Sequence, residues 1–198
     1  MEKRYQVFIS STFQDLQGAR QEVSQALLRA DCFPAGMELF PAADEEQFEF
    51  IKTVIDQSDY YILISAGRYG SIHPETGLSY TEMEYDYAVE TGKPVIRLLH
   101  KDPFNELKGE FIEGTDDGKS ALSDFRLKLS EKFLVNYWSE SKELGLLVLS
   151  NLLDAFKRQP AVGWVSGASA ASEQLRSENL DLRAKILELE RQALETSI

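Results

Sequence analysis

The stretch DYYILISAGRYGSIHPETGLSYTEMEYDYAVETGKPVIRLL, Asp59 to Leu99, decides the fold. Tyr60–Ala66 is almost continuously apolar and rich in aromatic and branched side chains, the composition of a strand covered on both faces. Ser79–Glu90 has helical period and stops at Thr91-Gly92, and Pro94 then opens a second apolar strand, PVIRLL. Strand, helix and strand in this order form a crossover unit, which requires parallel pairing.

The same alternation extends in both directions. Upstream, Tyr5–Ile9 reads as a first strand that stops at Ser10, Ser11 and Thr12, whose hydroxyls suit helix caps. A helix over Asp15–Ala30 follows, with Leu16, Ala19, Val23, Leu27 and Ala30 on one face. A short strand over Ala35–Phe40, interrupted by Gly36, leads into a helix over Glu45–Gln57 with Phe48, Ile51, Val54 and Ile55 inward. Downstream, His100–Lys119 is polar and reads as an exposed insertion, its Glu110, Glu113, Asp116 and Asp117 forming a solvated acidic loop. Helices over Ser120–Glu131 and Ser141–Arg158, with a strand over Phe133–Trp138 between them, complete the pattern. Residues 1–158 thus predict an α/β, flavodoxin-like domain with a five-stranded, mostly parallel sheet.

Past Gln159 the composition changes. Residues 159–171 are rich in Gly, Ala and Ser and read as a linker, and 172–198 as a coiled-coil helix. Leu175, Leu182 and Leu189 recur by sevens as d positions, which places Asn179, Ile186 and Ala193 at a. Leu at d with one Asn at a favours a parallel two-stranded coil. A second row, Leu180, Leu187 and Leu194, keeps a tetramer open, so the expectation is a homo-oligomer, dimer or tetramer. An amphipathic helix folded back on its own domain is the competing arrangement.

Charge and composition narrow the function. With a formal net charge of -12 and a pI near 4.7, the average field repels phosphate backbones and anionic lipid, so neither nucleic acid nor membrane is an expected partner. One cysteine, Cys32, excludes an internal disulfide framework. No apolar run reaches the roughly 18 residues of a membrane span, and the expectation is a cytoplasmic protein. Neither His73 nor His100 has a second ligand at zinc spacing, so no metal site is expected.

In an open parallel sheet, ligands bind beyond the carboxyl ends of the strands. That rule selects Ser10, Ser11, Thr12 and Phe13 after the first strand, and Arg68, Tyr69 and Ser71 in the SAGRYGS loop after the third. It also selects the helix start that carries Glu82 and Glu84. Two glutamates two positions apart point about 200° apart on a helix, so only one is expected to aim into the cleft. Met83, Tyr87, Ala88 and Val89 are expected to face the sheet.

The blocks VFISSTFQDLQGAR, SDYYILISAGRYGS and SYTEMEYDYAVETGKPVI resemble the signature blocks of the family catalogued as domain of unknown function 4062, a TIR-like group. More distantly, VFIS and EYDYAVETGKPVI resemble TIR domains, and the fold is related to nucleoside deoxyribosyltransferases. On that pattern Glu84 falls on the glutamate with which catalytic TIR domains cleave NAD+. The resemblance implies an effector or signalling domain, in bacterial antiphage defence for example, that hydrolyses the N-glycosidic bond of NAD+ or a related nucleotide once assembled. NAD+ would then be substrate, with no cofactor. Ser10, Ser11 and Arg68 would hold ribose or pyrophosphate oxygens and Tyr69 would stack on a ring. TIR-like domains also serve as non-catalytic assembly modules, and that alternative stays open.

Overall fold

The computed structural model describes residues 3–36, 46–131 and 133–196. Five strands, β1 (Gln6–Ser10), β2 (Phe33–Gly36), β3 (Tyr60–Ser65), β4 (Val95–His100) and β5 (Asn136–Trp138), pair in the order β2-β1-β3-β4-β5. Every pairing is parallel, with Ile9 opposite Gly36 and Ile62, and Ile62 opposite Ile96. This is the flavodoxin-like order, and its direction of winding reverses between β1 and β3.

Helices α1 (Gln17–Arg29), α2 (Glu46–Gln57), α3 (Tyr80–Glu90), α4 (Pro103–Glu106), α5 (Asp116–Glu131) and α6 (Glu143–Arg158) fill the connections. Right-handed crossovers put α1 on one face and α2, α3 and α5 on the other, because the chain moves outward from β1 in opposite directions. Alternate strand residues divide accordingly. Val7, Ile9, Tyr60, Ile62 and Ile64 meet Val23 and Leu27 of α1 and Val148 and Leu152 of α6. Phe8, Tyr61 and Leu63 meet Ile51 and Ile55 of α2, Tyr85 and Ala88 of α3, and Phe125 of α5. All six residues of β3 are buried, which accounts for their continuous apolar character.

Several boundaries differ from expectation. β2 begins at Phe33, two residues before Ala35, because Phe33 N–H donates to the Tyr5 carbonyl at 2.8 Å; the expected end at Phe40 lies outside the described residues. The expected insertion over 100–119 is not simply exposed. His100 is a fully buried end of β4, and α4 and a 3-10 turn at Gly109–Phe111 follow it. Asp116 and Asp117 open α5, where they favour the helix dipole.

The chain forms two compact units, one spanning Arg4–Gly163 and one holding the residues from Trp164 on. Residues 159–163, read in the sequence as the start of a linker, are tied to the first unit. The Tyr60 hydroxyl donates to the Gln159 carbonyl at 3.0 Å, and Gly163 N–H donates to Asp59 Oδ1 at 3.0 Å. In the second unit, α7 runs from Gly167 to Thr196, starting five residues before the expected Ser172.

Candidate functional site

At the carboxyl edge, β1 ends in two buried serines whose hydroxyls are already engaged. Ser10 Oγ donates to Glu84 Oε2 at 2.5 Å. Ser11 Oγ donates to the Thr12 carbonyl at 2.7 Å and accepts from Nη1 of the buried Arg20 at 2.8 Å. The sequence reading missed Arg20, which reaches the strand end from α1.

Ser79 starts α3 by accepting from Glu82 N–H at 3.1 Å. The buried face of α3 is Thr81, Glu84, Tyr85 and Ala88, the i, i+3, i+4, i+7 stripe, with Glu82 beside it. Of the residues expected to face the sheet, Ala88 is buried and Tyr87 is half-buried against the core on that side, its hydroxyl donating to Asp56. The expectation is corrected for Val89, which is exposed, and for Met83, which lies outside the buried stripe. Only one of the two glutamates was expected to aim into the cleft; both are buried, and neither lines the cleft described below.

Their surroundings differ. Glu82 accepts from the Tyr69 hydroxyl at 2.6 Å and from Lys128 Nζ at 2.8 Å, and Lys128 also pairs with Asp86. Tyr69 is therefore buried and committed to Glu82, with its ring edge-on to Phe125, and offers no open stacking face. Burial and the Glu82 carboxylate both raise the Tyr69 hydroxyl's pKa. Glu84 is 1% exposed, and its buried Oε1 has no hydrogen-bond partner among the described residues. Burial pushes its carboxyl from 4.5 up to about 7, against the opposing Ser10 hydrogen bond and the Arg20 charge. The buried Tyr61 hydroxyl is raised as well, first by burial and then by the Glu84 charge.

Next to this nest, where the winding reverses between β1 and β3, lies a cleft of about 600 Å³. Ser11, Thr12, Phe13, Arg68 and Ser71 line it, so five of the nine predicted residues come together there. Ser10 and Glu84 pair behind the lining, and Tyr69 and Glu82 pair away from it. Arg68 Nη1 donates to Gln14 Oε1 at 3.0 Å, and Phe13 is 46% exposed, an apolar surface available to a ring. Gly70 has φ of 99°, and a Cβ there would lie 3.0 Å from Thr12 Cγ2, so the loop passes the β1 turn only as glycine.

Two acidic residues in the lining were not expected there from the sequence. Asp15 comes from the turn before α1, and burial raises its carboxyl pKa while the Thr12 hydroxyl and the Arg68 charge oppose. Its spacing from Thr12 is that of a capping box, the one available signal. Glu113, expected in a solvated loop, is a cleft wall. Its N–H donates to the Gly67 carbonyl at 2.7 Å and its carboxylate accepts from Tyr69 N–H at 3.1 Å. The strap formed by residues 109–113 passes so close that a Cβ on Gly67 would lie 2.3 Å from the Phe111 carbonyl oxygen. Among the described residues no cluster of His, Cys, Asp and Glu is placed to hold a metal ion, and no helix is long and apolar enough to cross a membrane.

The profile of the family described as Domain of unknown function (DUF4062) matches residues 6–153. The chain belongs to the DUF4062 family. That range includes β1, β3 and β4 with the loops after them, so the DUF4062 region contains both the nest and the cleft. No curated protein matches the chain. Similar solved structures include the CMP N-glycosidase BcmB of Clostridium botulinum, at 16% identity over 75% of this chain and 98% of that chain, with a TM-score of 0.41. The RPS4 and RRS1 TIR domain heterodimer matches at 12% identity over 78% and 97%, TM-score 0.43. A diflavin flavoprotein A3 from Nostoc sp. matches at 11% identity over 79% and 97%, TM-score 0.40. None of the three bears on the chemistry of this DUF4062 domain.

Proposed function

We propose that this DUF4062 domain is an N-glycosidase of nucleotides, with NAD+ as its leading substrate and Glu84 as its carboxylate, acting in a signalling or defence effector. The observation that carries the reading is the Glu84 nest. A carboxylate is held at the carboxyl edge of the sheet with one oxygen unpartnered and its pKa raised to about 7. Glu82, by contrast, has a donor on each oxygen.

Cleavage of a ribosyl–nicotinamide bond expels a neutral leaving group and needs no proton donor. It needs a carboxylate beside the oxocarbenium ion that develops on the sugar. Ionised Glu84 supplies that charge in a water-poor setting, where it acts strongly. Arg68 offers its guanidinium to phosphate oxygens, Ser71 and Thr12 offer hydroxyls, and Phe13 takes the place first given to Tyr69 as the ring surface.

One observation favours a second reading, a non-catalytic assembly module. Glu84 is sealed behind Ser10 and does not line the cleft, so ribose can reach it only after the β1 turn opens. The two readings separate in an assay of NAD+ loss and nicotinamide release by the full chain at high concentration, with Glu84→Gln in parallel. Nicotinamide release by the wild type alone is the expected result; release by neither protein supports the assembly module. Base exchange on deoxynucleosides would instead indicate deoxyribosyl transfer.

A further inference from the structure

Leu175, Leu182, Ile186 and Leu189 of α7 are 54–63% exposed and form an apolar seam along one face of the helix. Its flanks carry a charge pattern that selects the partner. With Leu175 at d, Glu178 falls at g and Arg183 at the following e. In a parallel, in-register pair, each g residue meets the e residue five positions on in the other strand, so Glu178 of each copy meets Arg183 of its neighbour. The sequence continues the alternation with opposite sign, placing Lys185 at the next g and Glu190 at the next e. In the antiparallel register that sets Leu182 opposite Ile186, Arg183 and Lys185 would each face their own counterpart, like charge against like.

We propose that α7 pairs with α7 of a second copy of this chain as a parallel, in-register, two-stranded coil. Ile at a with Leu at d favours two strands, and Asn179 at a fixes register by pairing with its own counterpart. Leu180 and Leu187 fall at b, outside the a/d seam of a two-stranded coil. Parallel pairing brings both α/β domains to the same end of the coil. Only Trp164–Ser166 separate Gly163, held by Asp59, from the first residue of α7. A tether that short keeps the two domains at a high mutual concentration, so any contact between them becomes an intramolecular event.

The test is a charge swap in the full chain, read by sedimentation velocity. Wild type is expected as a dimer. Glu178→Arg and Arg183→Glu should each weaken self-pairing, and an equimolar mixture should restore attraction at both flanks, giving a roughly tenfold excess of mixed over statistical pairing. Leu182→Cys supplies an independent reading of direction: under mild oxidation a parallel pair joins 182 to 182, while buried Cys32 stays unreacted. A monomeric or tetrameric wild type, a mixture with no preference, or no disulfide at 182 would each overturn the proposal.

Discussion

Two carboxylates two positions apart on α3 are both buried, and the fold treats them in opposite ways. Glu82, on the side facing Tyr69 and α5, has a donor on each oxygen. Glu84, on the side facing β1, has one donor and a bare oxygen inside the protein. Leaving a buried acceptor unpaired costs about 1–3 kcal/mol, and burying its charge costs more. The Glu82 side is therefore arranged for stability, and the Glu84 side keeps a group the fold would be more stable without. Such costs gather at sites of chemistry.

The strongest way to break this comparison is to exchange each glutamate for its amide. If Glu84 stabilises the oxocarbenium ion, Glu84→Gln should lower nicotinamide release by about 100-fold or more, the usual scale for losing one electrostatic stabiliser. Glu82→Gln should leave the release rate of the folded protein within a few-fold of wild type. Equal losses in both variants, measured on samples with matched circular dichroism, would remove the distinction.

The comparison also has a stability form in which pH is the variable. Folded Glu84 titrates near 7 and its unfolded counterpart near 4.5, so the folded state binds this proton more tightly. The stability it contributes is fully present below about pH 4.5, falls as pH rises to about 7, and is absent above that, a swing of about 3 kcal/mol. Urea titrations from pH 5 to 8 should show this slope in wild type and a flatter one in Glu84→Gln. The variant should be the more stable protein at pH 8. A wild-type slope that persists in the variant would assign the titration elsewhere.

How much of this contrast was legible in the sequence depends on the distance between partners. β1, β3 and β4 are readable because burial on both faces leaves continuous apolar runs, and the site's location follows from the rule for carboxyl ends. The placement of Glu84 came from the resemblance of its block, which lies within the region that the DUF4062 profile matches. What was not legible is pairing across the chain. Lys128, which neutralises Glu82, and Glu113, which walls the cleft, lie on α5 and the strap before it, and nothing local marks either as a partner. Tyr69 misled for the same reason: beside Arg68 in a glycine loop it reads as a stacking face, yet its hydroxyl is taken by Glu82. β2 was misplaced because it is a short edge strand containing Pro34 and Gly36, both weak strand formers.

A third change probes the Glu82 side directly. Removing one partner of a buried pair leaves the other unsatisfied, so Glu82→Gln should cost about 1–2 kcal/mol, reduced from the full buried value because Lys128 is 41% exposed. Lys128→Met should cost a similar amount, and the double variant should cost less than the sum, since the two share one interaction. Chemical denaturation of the four proteins measures the coupling. Strict additivity would mean that α5 does not hold Glu82.

The smallest effect tests whether the two sides of α3 answer to the same helix start. Ser79 is fully buried and accepts the Glu82 N–H, so Ser79→Ala removes a cap and should cost about 1 kcal/mol, a fall in Tm of about 2–4 °C. The Glu84 carboxyl draws its environment from Ser10, Arg20 and burial one turn further along, and none of these passes through the cap. Carbon-13 titration of labelled glutamate should therefore find the Glu84 midpoint within a few tenths of a unit of wild type while thermal stability drops. A midpoint that moves with the cap would mean that the start of α3 sets the exposure of Glu84. The two sides would then be a single element, able to uncover its carboxylate by loosening at Ser79.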